Sequence, residues 1–411
     1  MIKFKKLFVA AIALGLSSAA FAITSKTSDT TAGVFSTDTD NFVSVNDWQS
    51  VNPNNLFGVF GYYSTKMKIG AAKNIGGFYF GALYEGDLGN SFTSTTTTTD
   101  STTTSKVTHT NACSRDFSFL MGIGNDLGIK FRLYQYTNSK SSTEVNATTT
   151  TEAKYDNWNP ELYAGYNLKL GDYLLKNYAA TGLYIDQSET ITKTDSATVT
   201  TGDITKTLSF GLGSTVVFPS KNNFNQSVNI PLSLGFEIPE KDSTASGFYL
   251  AFIPAYTVTY DKIDRLTLGA SAKLDTTFKT SKTDDSTSSN GIDIYPYFNL
   301  ALQYKAVPDK FTINAGASVA MPNWSFVNEK TGSTSTSTNS GTSSSGEVSL
   351  SSGFSAVLAK TVTFDCNYNV LGDLLSSSLH NKWATGSDTS ILNNLNLIFF
   401  HYLSMNISVK F

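Results

Sequence analysis

Residues 207–218 read TLSFGLGSTVVF, and residues 227–238 read SVNIPLSLGFEI. In the first stretch Leu208, Phe210, Leu212, Val216 and Phe218 alternate with Thr207, Ser209, Gly211, Gly213 and Thr215; Ser214 and Val217 are the exceptions. In the second, Val228, Ile230, Leu232, Leu234, Phe236 and Ile238 alternate with Ser227, Asn229, Pro231, Ser233, Gly235 and Glu237. Alternation at period two belongs to a strand with one apolar face and one polar face. Six apolar positions span about 33 Å at ~3.3 Å per residue. Tilted by about 40°, they cover roughly 25 Å of height, the apolar band of a membrane barrel.

The same pattern recurs along the chain. Apolar sets lie at Phe248–Tyr260, Leu266–Phe278, Ile292–Tyr304 and Phe311–Met321, with further strands near 347–358 and 361–370. Fainter ones lie at 66–73, 77–86, 115–124, 127–137, 158–169 and 177–187. The connections alternate in length. Short turns fall near 74–76, 125–126, 170–176, 219–225, 261–265, 305–310 and 359–360. Between them come Ser/Thr-rich stretches at 87–114, 138–157, 188–203, 279–290, 322–346 and 371–393, with a medium one at 239–246. Short turns at one end and long loops at the other is the layout of a transmembrane up-and-down β-barrel, and a soluble sandwich has no reason to keep it. Phe218, Tyr260, Tyr304 and Phe311 flank short turns, and Phe248, Phe278 and Trp158 flank long ones, as two aromatic girdles would.

Fifteen strands follow residue 66, and single-chain bacterial barrels are normally even. Leu56–Ser64, LFGVFGYYS, supplies another, although its alternation is poor. The expectation is an all-β antiparallel barrel of 16 strands over residues 55–411, with 14 as the alternative if early segments merge.

Composition agrees. Charged residues make up 15% of the chain, against roughly 25% in soluble domains. A net charge of −3 offers no basic footprint for nucleic acid. Lys3, Lys5 and Lys6, the apolar run Leu7–Leu16 and the small-residue site Ala20-Phe21-Ala22 form the layout of a cleavable secretory signal over residues 1–22. An anchor helix would need roughly 20 apolar residues, more than this core has. Residues 23–54 are polar and Asp-rich, with apolar islands at Phe42–Val45 and Trp48. They read as a periplasmic tail or as a plug folded into the lumen. Cys366 shares the apolar parity of Val362, Phe364, Tyr368 and Val370, whereas Cys113 borders a polar stretch, which argues against a disulfide between them.

The chain ends NLNLIFFHYLSMNISVKF, where Leu395, Leu397, Phe399, Leu403, Met405, Ile407, Val409 and Phe411 share one parity, interrupted by His401. This tail resembles the closing strand of bacterial outer-membrane barrels, whose terminal Phe is read by the insertion machinery. The signal, the paired hairpins and the Ser-Val-Lys-Phe terminus together resemble porin-type outer-membrane proteins. The stretch Gly76–Gly86, GGFYFGALYEG, with the Ser/Thr-rich loops, is similar to surface barrels of spirochaetes. The resemblance implies an outer-membrane location, contact with outer-membrane lipid and the insertion machinery, and passage of small solutes, with Phe411 as insertion signal. It carries over no solute-binding residue.

No metal spacing, phosphate loop or nucleophile elbow is present. The three histidines, His109, His380 and His401, fall in loops or on the apolar parity. Barrel enzymes exist with Ser and His at the outer rim, but the expectation is a chain without catalysis, metal or cofactor. The polar parity instead gives pore-lining candidates: Lys130, Arg132, Glu161, Lys273, Asp275, Asp293, Asn299, Gln303, Asp365 and Asn367. Both charge signs occur without a one-sign ladder, so strong ion selectivity is not indicated. The expected function is a channel for passive diffusion of small solutes. The alternative is a surface adhesin or antigen presented by the Ser/Thr-rich loops.

Overall fold

A computed structural model describes residues 41–51, residues 56–369 and residues 403–410. Within the middle range it omits the connections at 64–65, 88–89, 100–101, 125, 145–149, 194–197, 239–245, 283–286, 322–323, 332–334, 343–346 and 360. The expected signal at 1–22, residues 23–40, His380, His401 and Phe411 lie outside the described residues.

The strands, in chain order, begin with β1 (Leu56–Tyr63) and β2 (Lys66–Ile75). β3 (Phe78–Asp87) continues in the same register as Asn90–Thr99. Then come β4 (Thr102–Ile123), β5 (Leu127–Glu144), β6 (Thr150–Leu170), β7 (Tyr173–Lys193), β8 (Thr198–Val217) and β9 (Phe224–Ile238). β10 (Ser246–Phe252) continues as Ala255–Ile263 past Pro254, which has no N–H to give to the ladder. β11 (Leu266–Lys282) and β12 (Thr287–Val307) follow. β13 (Phe311–Ala320) continues as Trp324–Thr331, and β14 (Ser335–Thr342) as Glu347–Ala359. β15 (Val362–Asn369) and β16 (Leu403–Lys410) complete the set.

Each strand pairs antiparallel with its neighbour in sequence, and β1 pairs with β16 from Phe57↔Lys410 to Tyr63↔Ser404. The chain is therefore a closed antiparallel barrel of 16 strands. Closure leaves no row of unpaired N–H and C=O groups at a sheet edge.

Tight turns at one end set the register. Gly76 and Gly77, with φ of 60° and 87°, form the two-residue link between β2 and β3, a conformation whose twist matches that of a hairpin. Asn222 and Asn223 adopt φ of 54° and 66° between β8 and β9, where asparagine tolerates the left-handed region. β1 begins and β16 ends at this same end.

The stretches expected as loops are largely strand where the structure describes them, and the one expected at 371–393 lies outside the described residues. β4 is 22 residues long, and β6, β7 and β12 are 21 each, about twice the ten or so that a tilted strand needs to cross a membrane. Residues 90–99 pair with 102–111, and 324–331 with 335–342. Thr-rich composition suits the pleat through its β-branched side chains, so the hairpins rise beyond the apolar band as continuous wall. The β1–β2 hairpin stays low, turning after Tyr63, while β9 stops at Ile238 and β10 pairs with β11 up to Ser246↔Lys282.

Along β13 one extra residue enters the ladder. Ala320 pairs with Tyr297 but Trp324 with Ile294, so the parity shifts within 321–323. A bulge of this kind swaps which parity faces outward. It brings Trp324 and Phe326 onto the outer face at the long-hairpin end, where sequence parity alone places them in a loop.

The outer face is apolar and open. Leu300 is 63% exposed, Leu212 60% and Leu162 50%. Aromatic pairs ring it: Tyr173–Phe218, Phe224–Tyr260 and Phe311–Phe354 near the short turns, and Phe236–Phe248 and Phe248–Phe278 toward the other end. Among the described residues the packed core lies inside the barrel, on the β1–β4 side. It joins Phe42, Val43, Trp48 and Val51 to the inward residues Phe57, Val59, Ala72, Tyr79, Leu83 and Leu120.

Candidate pore wall

Cross-strand partners share a face, so the register fixes which side chains line the interior. One inner row runs Leu120–Lys130–Tyr163, and the next runs Ser118–Arg132–Glu161. All ten pore-lining candidates fall on this face. They divide into two groups that do not meet.

The first group is an ion-paired cluster on β2–β6. Arg132 Nε donates to both carboxylate oxygens of Asp116 at 3.0 and 2.9 Å, and its Nη1 donates to Glu161 at 2.9 Å. A planar guanidinium forked against a carboxylate is the geometry that holds best. Tyr163 Oη and Asn159 Nδ2 also donate to Glu161, at 2.8 and 3.2 Å. Lys130 Nζ lies 4.5 Å from the centre of the Tyr163 ring, and Lys68 pairs with Glu85 at 3.2 Å. Three cations thus face three carboxylates, and their charges cancel locally.

The second group lies across the interior on β11–β15. Lys279 pairs with Asp293 at 3.2 Å, and Lys273 stands 4.0 Å from Asp275 and 4.9 Å from the Tyr297 ring centre. Asn299 donates to Ser271 at 3.0 Å and accepts from Ser318 at 2.7 Å; Gln303 donates to Asn314 at 3.3 Å. Ser355 donates to Asp365, and Asn367 is buried beside it. These charges are wetter. Lys279 is 63% exposed, against 32% for Arg132 and 3% for Lys68.

Sequence reasoning left the role of residues 41–51 open, and the structure seats them on the inner wall. Phe42 packs on Phe57 with ring centres 5.4 Å apart, and Trp48 on Tyr79 at 4.8 Å. Tyr79 Oη donates to the Phe42 carbonyl at 2.6 Å, Asn167 Nδ2 to the Asn46 carbonyl at 2.7 Å, and Lys176 pairs with Asp47. Burying Phe42, Trp48 and Val51 contributes roughly 1.5–3 kcal/mol per side chain.

Between these packed side chains the wall beneath the segment carries glycine. A first side-chain carbon at Gly70, Gly81 or Gly122 would stand 2.6, 2.7 or 2.6 Å from Phe42, the Phe42 carbonyl or Trp48. One at Gly128 or Gly165 would collide with Val45 and Asn46. At Gly211, on the strand next to the one that carries Lys176, the nearest atom would be 3.5 Å away, and at Gly213 and Gly235 the blocking atoms belong to the wall's own Tyr178 and Tyr249. The legible signal was glycine at inward positions 122, 128 and 165 of three neighbouring strands, but only the register shows that they adjoin.

No family model matches the sequence, and no curated protein matches it. Among solved structures the chain is similar to CdiB from Escherichia coli, with 11% identity and a TM-score of 0.45 over 87% of this chain and 63% of that one. It is similar to CdiB from Acinetobacter baumannii, with 10% identity and a TM-score of 0.39 over 87% and 59%. It is also similar to OmpT, an outer membrane protein of Vibrio cholerae, with 12% identity and a TM-score of 0.31 over 87% and 97%. The chain spans about three-fifths of the length of the two CdiB chains. The fold rests on the strand pairing of this chain itself.

Proposed function

We propose that this chain is a porin-like channel of a bacterial outer membrane, exported by the signal at 1–22 and open to small polar solutes by passive diffusion. The observation that carries this reading is the opposition of the two faces. A closed wall with Leu300 and Leu212 mostly exposed outside would aggregate in water, whereas a bilayer covers such a belt. Inside, β8–β15 present mostly small or polar side chains, among them Ser209, Gly211, Thr215, Asn229, Ser271, Asn299 and Ser318, with the larger Tyr249, Tyr295 and Tyr297 between them, a lining too sparse to fill a barrel of this strand number. Water is the occupant that such a surface suits. Outer-membrane lipid, the insertion machinery and small solutes are the partners this reading requires.

Purified protein added to a planar bilayer tests it. Stepwise current increments that grow with salt concentration are expected, and silence from protein that folds in vesicles would overturn the channel. The tall Ser/Thr hairpins favour a second reading, a surface-exposed adhesin or antigen without significant transport, and silence in the bilayer would transfer the weight to it.

A further inference from the structure

Residues 41–51 touch the inner face of seven consecutive strands. Phe42 meets Phe57 on β1 and Gly70 on β2, and its carbonyl meets Tyr79 and Gly81 on β3. Trp48 covers Gly122 on β4, Val45 covers Gly128 on β5, Asn46 binds Asn167 on β6, and Asp47 binds Lys176 on β7. Gly122, Gly128 and Lys176 all lie within a few residues of the tight turns at Gly124 and Gly171. The segment therefore crosses the short-turn mouth, the end at which β1 begins.

We infer that residues 41–51 are an autoinhibitory insert that closes the β1–β7 half of the lumen at this mouth, leaving β8–β16 as the solute path. This rests on the channel reading above. Three independent features support it. Five inward glycines admit no first carbon because the insert itself lies against them, whereas inward Gly213 and Gly235 are blocked by the wall's own Tyr178 and Tyr249. The insert is anchored at both ends of its arc, by Tyr79 to the Phe42 carbonyl and by Lys176 to Asp47. Its apolar side chains face the wall, with Phe42 wholly buried. An accidental collapse of a polar tail supplies none of these together. The geometry has a further consequence for ions: the wetter charges Lys273, Asp275, Lys279 and Asp293 border the open half, while the Arg132–Asp116–Glu161 cluster stands on the side the insert covers.

Two measurements on the full chain test the inference. In a background with Cys113→Ser and Cys366→Ser, the pair Asp47→Cys/Lys176→Cys should form a disulfide on mild oxidation, and Asp47→Cys/Asn299→Cys should not. Separately, Phe42→Asp with Trp48→Asp removes the apolar seat without touching the wall, and single-channel conductance should rise about twofold as the covered half opens. The oxidised Asp47–Lys176 pair should keep the wild-type conductance. Equal cross-linking at near and far walls, or none at either, would overturn the insert while leaving the channel reading intact. Efficient near-wall cross-linking with silent bilayers in every variant would overturn the channel and the solute path but leave the seated segment. The cross-link reports even if the double Asp variant fails to fold.

Discussion

A lysine at Leu212 and a lysine at Gly211 should have opposite consequences, although the two positions are adjacent. Leu212 lies on the outer face of β8, six residues from Phe218 at the short-turn rim. Six residues make about 20 Å of strand at ~3.3 Å per residue. At a tilt of about 40° this is roughly 15 Å of height, near the middle of a band roughly 25 Å thick. Leu212 is 60% exposed, so nothing in the protein shields a charge placed there. Leu212→Lys should cost about 2–4 kcal/mol, the penalty of an ammonium near the bilayer midplane. Gly211 faces inward, and a first side-chain carbon there stands 3.5 Å from the Ala180 methyl, an ordinary contact. Gly211→Lys gains the roughly 0.5–1 kcal/mol that glycine forfeits in a strand, and its long side chain reaches open lumen. The two variants should differ by a factor of at least about 30 in folding equilibrium, at 1.4 kcal/mol per tenfold. Urea unfolding in lipid vesicles, followed by tryptophan fluorescence, measures both. If Gly211→Lys is the damaging change and Leu212→Lys is neutral, the inner and outer faces are exchanged and the register is wrong by one residue.

A closed barrel resists detergent until heated, so the unboiled protein should migrate faster on a gel than the boiled protein; equal mobilities from folded samples would argue against closure. Cys366 faces outward beside Phe354 and Met405, and in vesicles it should ignore a charged, membrane-impermeant thiol reagent, whereas Thr363→Cys, inward and only half-buried, should react through the lumen. Lys279→Glu should move the reversal potential in a salt gradient toward cation preference, and Asp116→Asn should move it far less, because Lys279 is 63% exposed and Asp116 is 18% exposed within its pairs. Similar shifts from both variants would remove the distinction between an open and a covered half. Deleting Phe411 should leave synthesis intact but strand the protein in the periplasm, as cell fractionation would show; normal outer-membrane yield would dismiss its role as insertion signal.

The strands from β8 onward were legible because their inner faces meet polar surroundings and alternate cleanly with an apolar exterior. β1 to β4 were faint for a physical reason. Phe57, Val59, Tyr79, Leu83 and Leu120 point inward yet are apolar, since they pack against Phe42, Trp48 and Val51. Where both faces are greasy, period two fades. The poor alternation of Leu56–Tyr63 was thus itself a trace of the insert. The register was harder to read at β13, where one extra residue exchanges the faces before Trp324. The Ser/Thr stretches lacked any apolar face to announce a strand, because their pairing lies beyond the apolar belt. The ten inward candidates were placed by parity alone, but parity could not reveal that Arg132 is sequestered in a neutral cluster while Lys279 stands in the wet half.

The unequal hairpins give the wall a skyline. Tall panels rise over β3–β8 and β11–β14, whereas β2 pairs with β3 only up to Lys66↔Asp87, twelve residues short of the Thr99↔Thr102 pair at the top of the next hairpin. Among the described residues the rim is therefore stepped, low at β1–β2 and tall beside it. On the channel reading, a large body resting on the tall panels would not lie flush against that step, so contact with the panels alone would not cap the lumen.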